Sequence, residues 1–252
     1  MAAKKGRAGE GSQEPQTAKK KRGADREPPN SAAEWVKSIA IALALFLFLR
    51  TFIVQTFVIT SGSMEETLLV GDMLVVNRAA MGSRVPLINL PIPAYSSPKW
   101  GDVLVFDPPH EETIMLIKRL LGMPGDTLEM RSRVLYRNGA RVDEPYVVHA
   151  DVIDEPHPWM EWQRDYITAE MDPLAYAPTR DNWGPLVIPE GHYFMLGDNR
   201  ERSLDSRYWG LLERWRLEGR AVFTYFSYNK SSFRPFPWIR EIRWGRIGDG
   251  IG

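Results

Sequence analysis

The sequence predicts a mostly β domain that is preceded by one transmembrane helix and interrupted by an irregular inserted lobe. Two observations lead to this prediction. One long apolar run lies near the N-terminus, and short apolar segments, many with a period of two residues, recur after Phe57. A period of two places alternate side chains on one face of a strand, whereas about 20 apolar residues span a bilayer as a helix.

The N-terminal segment, residues 1–34, is predicted to be a disordered basic tail. It is rich in Pro, Gly, Ser, Gln and charged residues, and its eight basic and five acidic residues give a net charge of +3. Such a composition cannot bury enough apolar surface to offset the entropy lost on ordering. Because the basic side precedes the apolar run, the positive-inside rule places this tail in the cytoplasm and the rest of the chain outside.

The apolar run predicts a membrane anchor at residues 35–56. Trp35 and Lys37 suit one membrane interface, and Arg50 lies near the other end, where its side chain can reach water. A cleavable signal peptide is the alternative, with Ser61-Gly62-Ser63 as a small-x-small cleavage site. That site follows Leu49 by 12 residues, which is too far for the usual arrangement, so we expect an uncleaved anchor.

The remaining residues, 57–252, are expected to form one β-rich domain. Strands are predicted at five apolar segments, namely 73–77, 102–106, 114–117, 134–136 and 192–196. Residues 143–190 are instead rich in Pro, Trp, Asp and Glu, so we interpret them as the inserted lobe.

Composition excludes several classes of function. The sequence contains no cysteine, which rules out thiol proteases, disulfide frameworks and cysteine-based zinc sites. Its formal net charge of zero gives no support for a nucleic-acid partner. The four histidines, at positions 110, 149, 157 and 192, fit no usual zinc spacing, although a spatial Ser-His-Asp triad stays open.

Three segments carry candidate chemistry. Ser61-Gly62-Ser63-Met64 allows a tight turn that exposes a hydroxyl, but the same residues also suit an ordinary loop. Lys118 follows four apolar residues, so an inward-facing side chain would be desolvated and its amine could act as a base, whereas an outward-facing one would be an ordinary surface charge. Residues 197–210 form a dense polar loop after a strong strand, which suits either a functional loop or a turn held by an Asp–Arg pair.

Together, these segments resemble the bacterial type I signal peptidases, a family of Ser/Lys proteases. The resemblance rests on their order and spacing behind the apolar run, and it covers about residues 57–252 except for the lobe. The matching motifs are Ser61-Gly-Ser-Met, Thr67-Leu-Leu-Val-Gly-Asp72, Gly101-Asp-Val-Leu-Val-Phe106, Lys118-Arg-Leu-Leu-Gly-Met-Pro-Gly-Asp126, Gly197-Asp-Asn-Arg200 with Ser203, Asp205, Ser206 and Arg207, and Arg243-Trp-Gly-Arg-Ile-Gly248.

The resemblance implies an antiparallel β catalytic domain with an extra β lobe and assigns roles to individual residues. Ser63 matches the nucleophile and Lys118 the general base. Ser61 matches a hydroxyl that completes the oxyanion hole with the Ser63 backbone N–H. The loop supplies Ser203, which matches a serine that orients the lysine, and Asp205 and Arg207, which match a bracing charged pair. The positions that match the family's shallow substrate pockets are Phe57, Ile59, Met64, Leu68, Leu116 and Ile117.

The resemblance also implies a biological setting. A member would sit in the bacterial inner membrane and cut signal peptides from exported preproteins after an Ala-x-Ala-like site, through an acyl-enzyme. It would need no metal or cofactor, and it would encounter the lipid bilayer and the export machinery. The alternative function is a non-catalytic, membrane-tethered β domain that binds extended peptides.

The chain departs from the family pattern at two positions. The family commonly has proline where this chain has Thr60, and again where it has Glu66. Since proline fixes the backbone angle φ, we expect both replacements to loosen the nucleophile loop and to alter the shape of the pocket beside it.

Overall fold

A computed structural model describes residues 31–84, 91–111, 113–149 and 154–252. The predicted disordered tail therefore lies outside the described residues up to position 30. The first element is helix α1, Ser31–Phe52. Within the described ranges, one helical segment, Ala32–Arg50, is long and apolar enough to cross a membrane, and its side chains from Ala32 to Arg50 are exposed. The prediction of one apolar N-terminal helix is confirmed.

The rest of the chain is built mainly from short strands. They are β1 Val54–Val58, β2 Asp72–Asn77, β3 Ser83–Arg84, β4 Pro91–Ile92, β5 Val103–Phe106, β6 Leu116–Gly122, β7 Thr127–Arg131, β8 Val134–Arg137, β9 Ala140–Arg141, β10 Trp183–Val187, β11 His192–Leu196, β12 Leu212–Glu213 and β13 Leu217–Ser227. Two short helices, α2 Ser206–Trp209 and α3 Pro237–Arg240, and three 3-10 helices, Pro158–Asp165, Arg214–Arg216 and Trp244–Arg246, complete the described elements.

The main sheet has seven strands in the order β1-β2-β13-β5-β6-β11-β12. Each of its neighbouring pairs is antiparallel. The predicted mostly antiparallel β fold is therefore confirmed. Strand β6 lies inside this sheet, between β5 and β11, so its residues are flanked by backbone on both sides.

A second sheet of four strands, in the order β10-β7-β8-β9, forms beside the main one. Three of its strands precede residue 143, and β10 lies within the range predicted for the inserted lobe. The same range contains the 3-10 helix Pro158–Asp165, while residues 150–153 lie outside the described part. The extent of the lobe, 143–190, stays a prediction.

One apolar cluster lies under the segment between β1 and β2. Met64 and Leu68 from this segment are fully buried and pack with side chains from the central strands. The remaining buried members are Ile59, Leu74, Val76, Val103, Val105 and Ala221. Burying a side chain of this size contributes roughly 1.5–3 kcal/mol, so the cluster holds the loop that contains Ser63 against the sheet.

Candidate active site

Ser63 lies in the connection between β1 and β2, directly before the buried Met64. The ends of this connection are joined by backbone hydrogen bonds between Ile59 and Asp72 and between Gly71 and Ile59. The carbonyl oxygen of Ser63 accepts a hydrogen bond from the backbone N–H of Asn199, at 3.2 Å. This hydrogen bond joins the predicted nucleophile to the polar loop that starts at Gly197. Ser63 itself is buried, with 5% of its surface exposed.

Glu66 departs from the expectation of a merely loosened loop. Its φ angle is 76°, in the left-handed region that proline cannot adopt. The backbone here is therefore folded in a way that excludes the proline common in the family, rather than being the same loop without a constraint. The Glu66 side chain is exposed, so the conformation is set by the loop and not by burial of the carboxylate.

Lys118 lies in β6, where it pairs with Leu104 of β5. Its ammonium nitrogen, Nζ, is 2.7 Å from Oγ of Ser63 and 3.1 Å from the carbonyl oxygen of Ile117. The residue is only 2% exposed. Of the two orientations that the sequence left open, the structure has the inward-facing one.

The protonation of Lys118 is shifted by its surroundings. Burial lowers the pKa of Lys118 from 10.5 to about 8, because the charged form loses its water. The negative charges of Asp205 and Asp198 oppose this lowering, and the positive charge of Arg207 adds to it. A useful fraction of the amine is therefore neutral near physiological pH, and a neutral amine can accept the Ser63 proton.

Asp205 and Arg207 form a buried pair in the loop. Two hydrogen bonds of 2.8 Å join the guanidinium to the carboxylate, and both residues are fully buried. Burial alone would raise the pKa of Asp205, but the charge and hydrogen bonds of Arg207 outweigh it and lower that pKa. The Asp205 carboxylate also accepts a hydrogen bond from the Gly197 N–H and caps α2. The pair thus fixes the path of the loop beside Lys118.

Ser61 and Ser203 are brought to the site to different degrees. The Oγ atoms of Ser61 and Ser63 are 3.4 Å apart, so the two hydroxyls are neighbours. Ser203 packs against Gly197, where a Cβ atom would lie 2.2 Å from Ser203 Oγ and 2.5 Å from the Ser63 carbonyl oxygen. Its hydroxyl is buried and lies close enough to the Asp205 carboxylate to help lower the pKa of that group. The hydrogen bond to the lysine that the resemblance implies is not formed here.

A second buried ion pair was not singled out from the sequence. Arg119 donates from Nε and Nη2 to the two carboxylate oxygens of Asp198, at 2.9 and 2.8 Å. Thr67 hydrogen-bonds to both partners. The pair joins the nucleophile loop, strand β6 and the polar loop in one network. The sequence shows a basic residue, Arg119, directly after Lys118 and an acidic residue, Asp198, in the polar loop. No local pattern indicates that these two residues form an ion pair.

A cavity of about 260 Å³ adjoins Ser63 and Lys118. Four of the six residues predicted to form substrate pockets line it, namely Phe57, Ile59, Leu116 and Ile117. The other two, Met64 and Leu68, are fully buried in the cluster below and are not part of its lining. A larger groove of about 890 Å³ lies between the 3-10 helix Pro158–Asp165 and α2, and its lining contains neither Ser63 nor Lys118.

The histidines lie in other surroundings. His110 stacks on Trp209, and His157 contacts Trp159 and Tyr208 edge to face. His149 Nδ1 is 2.9 Å from a carboxylate oxygen of Glu201. The side-chain hydrogen-bond partners of the Ser63 hydroxyl, within the part of the chain that the structure describes, are Lys118 and Ser61. The geometry therefore favours a lysine partner over a Ser-His-Asp triad.

Comparison with known proteins agrees with this geometry. The family model "Signal peptidase, peptidase S26" matches residues 32–226. The chain belongs to the signal peptidase family S26. It is 40% identical to a signal peptidase I of Pseudomonas aeruginosa over 83% of this chain and 78% of that protein. It is 34% identical to a signal peptidase I of Bacillus licheniformis over 80% of this chain and 92% of that protein.

One solved structure, a signal peptidase I from Enterococcus faecalis, is 30% identical with a TM-score of 0.33, and it covers 50% of this chain and 97% of its own. Family membership makes this S26 signal peptidase a serine endopeptidase that removes signal peptides. Together with the apolar N-terminal helix, it also marks the chain as membrane-anchored. The resemblance stated from the sequence is confirmed, and the non-catalytic alternative is disfavoured.

Proposed function

We propose that this signal peptidase cleaves preproteins with Ser63 as nucleophile and neutral Lys118 as general base. The distance of 2.7 Å between Lys118 Nζ and Ser63 Oγ is the observation that supports this most directly. The two groups lie within proton-transfer reach, which for a general base is about 2.6–3.2 Å between heavy atoms.

In the first half of the reaction, Ser63 Oγ attacks the carbonyl carbon of the scissile bond while Lys118 Nζ takes the hydroxyl proton. The carbonyl oxygen gains negative charge, which the Ser61 hydroxyl and the Ser63 backbone N–H stabilise as hydrogen-bond donors. The resulting ammonium returns its proton to the leaving amine as the C–N bond breaks. The signal peptide is then held on Ser63 as an ester.

In the second half, the same lysine accepts a proton from water, and the hydroxide equivalent attacks the ester. The bond to Ser63 Oγ breaks, and Lys118 gives the proton back to that oxygen. The pKa of Lys118, lowered to about 8 by burial, suits both steps because the amine gains and loses a proton without a large cost. The Asp205–Arg207 pair fixes the loop beside the lysine, and Ser203 packs this loop against the Ser63 segment at Gly197.

The cavity beside the dyad supports specificity for small side chains. The cavity has a volume of about 260 Å³, and the apolar side chains of Phe57, Ile59, Leu116 and Ile117 line part of it. An extended substrate segment can run along this surface by strand addition and place small side chains such as alanine in it. We expect a preprotein with tryptophan in place of the alanine before the cleaved bond to resist cleavage.

Placement at the inner membrane, with residues 1–34 cytoplasmic and the catalytic domain outside, is part of the proposal. The basic tail supports this orientation. Apolar side chains near the C-terminus support contact with lipid, because Phe233, Phe236, Trp238, Ile239 and Trp244 are each at least half exposed. Aromatic residues of this kind concentrate at the water–lipid interface. Contact with preproteins and with the export machinery would occur at this face of the membrane.

The proposal is tested with full-length protein in detergent and a preprotein that carries an Ala-x-Ala site. Ser63→Ala and Lys118→Ala should each lower the cleavage rate by roughly 10² to 10⁴ or more. Ser231→Ala and Lys99→Ala, which alter exposed residues of the same types, should leave it unchanged. Full activity in either dyad variant would contradict the proposal.

A further inference from the structure

A short segment inside the range predicted for the lobe, residues 144–149, lies along the polar loop of the site; we refer to it as the strap. The backbone N–H of Val148 donates to the Asp198 carbonyl at 3.0 Å, and the Arg200 N–H donates to the Val148 carbonyl at 3.3 Å. Val148 and Asn199 form a parallel bridge. The strap thus contacts Asn199, whose backbone bonds to Ser63, and Asp198, whose carboxylate binds Arg119.

Two side chains of the strap reach the buried charges below it. The ring of Tyr146 covers the guanidinium of Arg119, whose Cζ atom is 3.8 Å from the ring centre. Glu144 forms an ion pair with Arg200, and the two side chains are 8% and 1% exposed. The Tyr146 hydroxyl donates to Glu144 at 3.2 Å.

Arg119 is therefore held from two directions. The Asp198 carboxylate binds the edge of its guanidinium through two hydrogen bonds, and the face of the Tyr146 ring attracts the same cation. Arg119 is 2% exposed and also donates to the Gly101 carbonyl at 3.0 Å and to the Thr67 hydroxyl at 3.2 Å. Removal of the ring would open the face of this buried guanidinium to water, which weakens its ion pair with Asp198.

We propose, on the basis of the Ser63/Lys118 mechanism, that Tyr146 is a positioning residue that keeps Arg119 on Asp198 and so keeps this carboxylate neutralised beside the dyad. Tyr146 is not among the described residues that line the cavity beside Ser63 and Lys118. It acts through Arg119 and Asp198 on the electrostatic field at Lys118.

The field at Lys118 gives the proposal a specific signature. The charged groups that act on Lys118 are Asp205, Asp198 and Arg207. The Asp198 charge opposes the lowering of the lysine's pKa. If the ion pair of Arg119 with Asp198 weakens, the carboxylate is less well neutralised, its effect on Lys118 grows, and the pKa of Lys118 rises. Fewer lysines are then neutral at pH 7, but raising the pH restores the base. A residue with only a structural role would lower activity at every pH alike.

The experiment compares the pH dependence of kcat/KM for full-length wild type, Tyr146→Ala and Tyr146→Phe in detergent. Tyr146→Phe keeps the ring and should keep the wild-type midpoint. Tyr146→Ala should move the midpoint upward by about one pH unit, a loss of about tenfold at neutral pH that is recovered at alkaline pH. Trp159→Ala removes an exposed aromatic residue of the lobe and should not move the midpoint.

The outcomes separate this role from the mechanism it depends on. An unmoved midpoint in Tyr146→Ala, or an equal shift in Tyr146→Phe, would overturn the role of Tyr146 alone. If wild type showed no Lys118-dependent rise of activity with pH, the dyad mechanism would fail as well. Should Tyr146→Ala prove too unstable to assay, Tyr146→Leu keeps an apolar cover without a ring. The same upward shift is expected for it, and its absence would count against the proposal.

Discussion

Nζ of Lys118 lies 2.7 Å from Oγ of Ser63, although the two residues are 55 positions apart in the chain. The antiparallel sheet makes this approach possible, because it places β6 inside the sheet while the loop after β1 packs onto the same surface. The lysine is buried, and the loss of water there disfavours its charged form. This relationship accounts for the lowered pKa of Lys118.

The buried Lys118 should make folding stability depend on pH. Its pKa is lowered to about 8 in the folded state and is 10.5 when unperturbed. Below about pH 8 both states are protonated, and the folded state bears the full cost of a buried charge. Between about pH 8 and 10.5 only the unfolded chain keeps the extra proton, so stability rises with pH. At about 1.4 kcal/mol per pH unit, the gain is about 3 kcal/mol.

This dependence is measured as the difference in unfolding free energy between wild type and Lys118→Met, from urea titrations of the full-length proteins in detergent. The difference should change by about 3 kcal/mol in favour of wild type between about pH 7 and 10.5. Lys99→Met, which replaces an exposed lysine, should show no such trend. A flat difference for Lys118→Met would mean that Lys118 titrates normally.

Gly197 should not tolerate alanine. A Cβ atom there would lie 2.2 Å from Ser203 Oγ, 2.4 Å from Ser203 Cβ and 2.5 Å from the Ser63 carbonyl oxygen. Overpacking of this kind costs about 1–3 kcal/mol, and a displacement of Ser63 by about 1 Å can lower the rate by roughly 10². Thermal unfolding and preprotein cleavage of Gly197→Ala measure both effects. Gly245→Ala, with no atom within 4 Å of its Cβ, is the matched control. Equal behaviour of the two variants would contradict the packing described here.

Glu66 should respond in opposite ways to glycine and to proline. Its φ of 76° is strained for a residue with a Cβ, so Glu66→Gly should stabilise the protein by about 0.5–1 kcal/mol after the entropy cost of glycine. Glu66→Pro requires φ near −65° and should destabilise by roughly 2 kcal/mol or more. Glu66→Gln keeps the strain and should stay within about 0.5 kcal/mol of wild type. Thermal melts decide the order, and a stabilising proline would show that the loop can adopt the family's conformation.

Much of the fold could be predicted from the sequence, because a strand with one buried face shows alternating apolar residues in its own local sequence. The segments 73–77 and 192–196 lie within or closely match β2 and β11. The segment 114–117 was less accurate, since the strand is β6, Leu116–Gly122. An apolar pattern stops at the first charge, and here Lys118 and Arg119 continue the strand into the interior because each finds a buried partner.

The site itself could be proposed only from joined motifs, because the contacts that give its residues their properties are long-range. Lys118 is an ordinary charge until the fold removes its water, and Asp198 pairs with a residue 79 positions away. The left-handed backbone of Glu66 and the contact of Tyr146 with Arg119 left no mark in the local sequence. Met64 and Leu68 are apolar whether they line a pocket or support one, so composition could not separate the two roles.

The Ser63/Lys118 dyad is tested most directly by the rate at which an acylating β-lactam-type inhibitor modifies Ser63 in the full-length protein, followed by mass spectrometry across pH. A single adduct on Ser63 is expected, and its rate of formation should rise with an apparent pKa of about 8. The adduct should be lost in Ser63→Ala, and Lys118→Met should form it slowly and without that pH dependence. Acylation of Ser63 in Lys118→Met at the wild-type rate and with the same pH profile would contradict the role of Lys118 as general base.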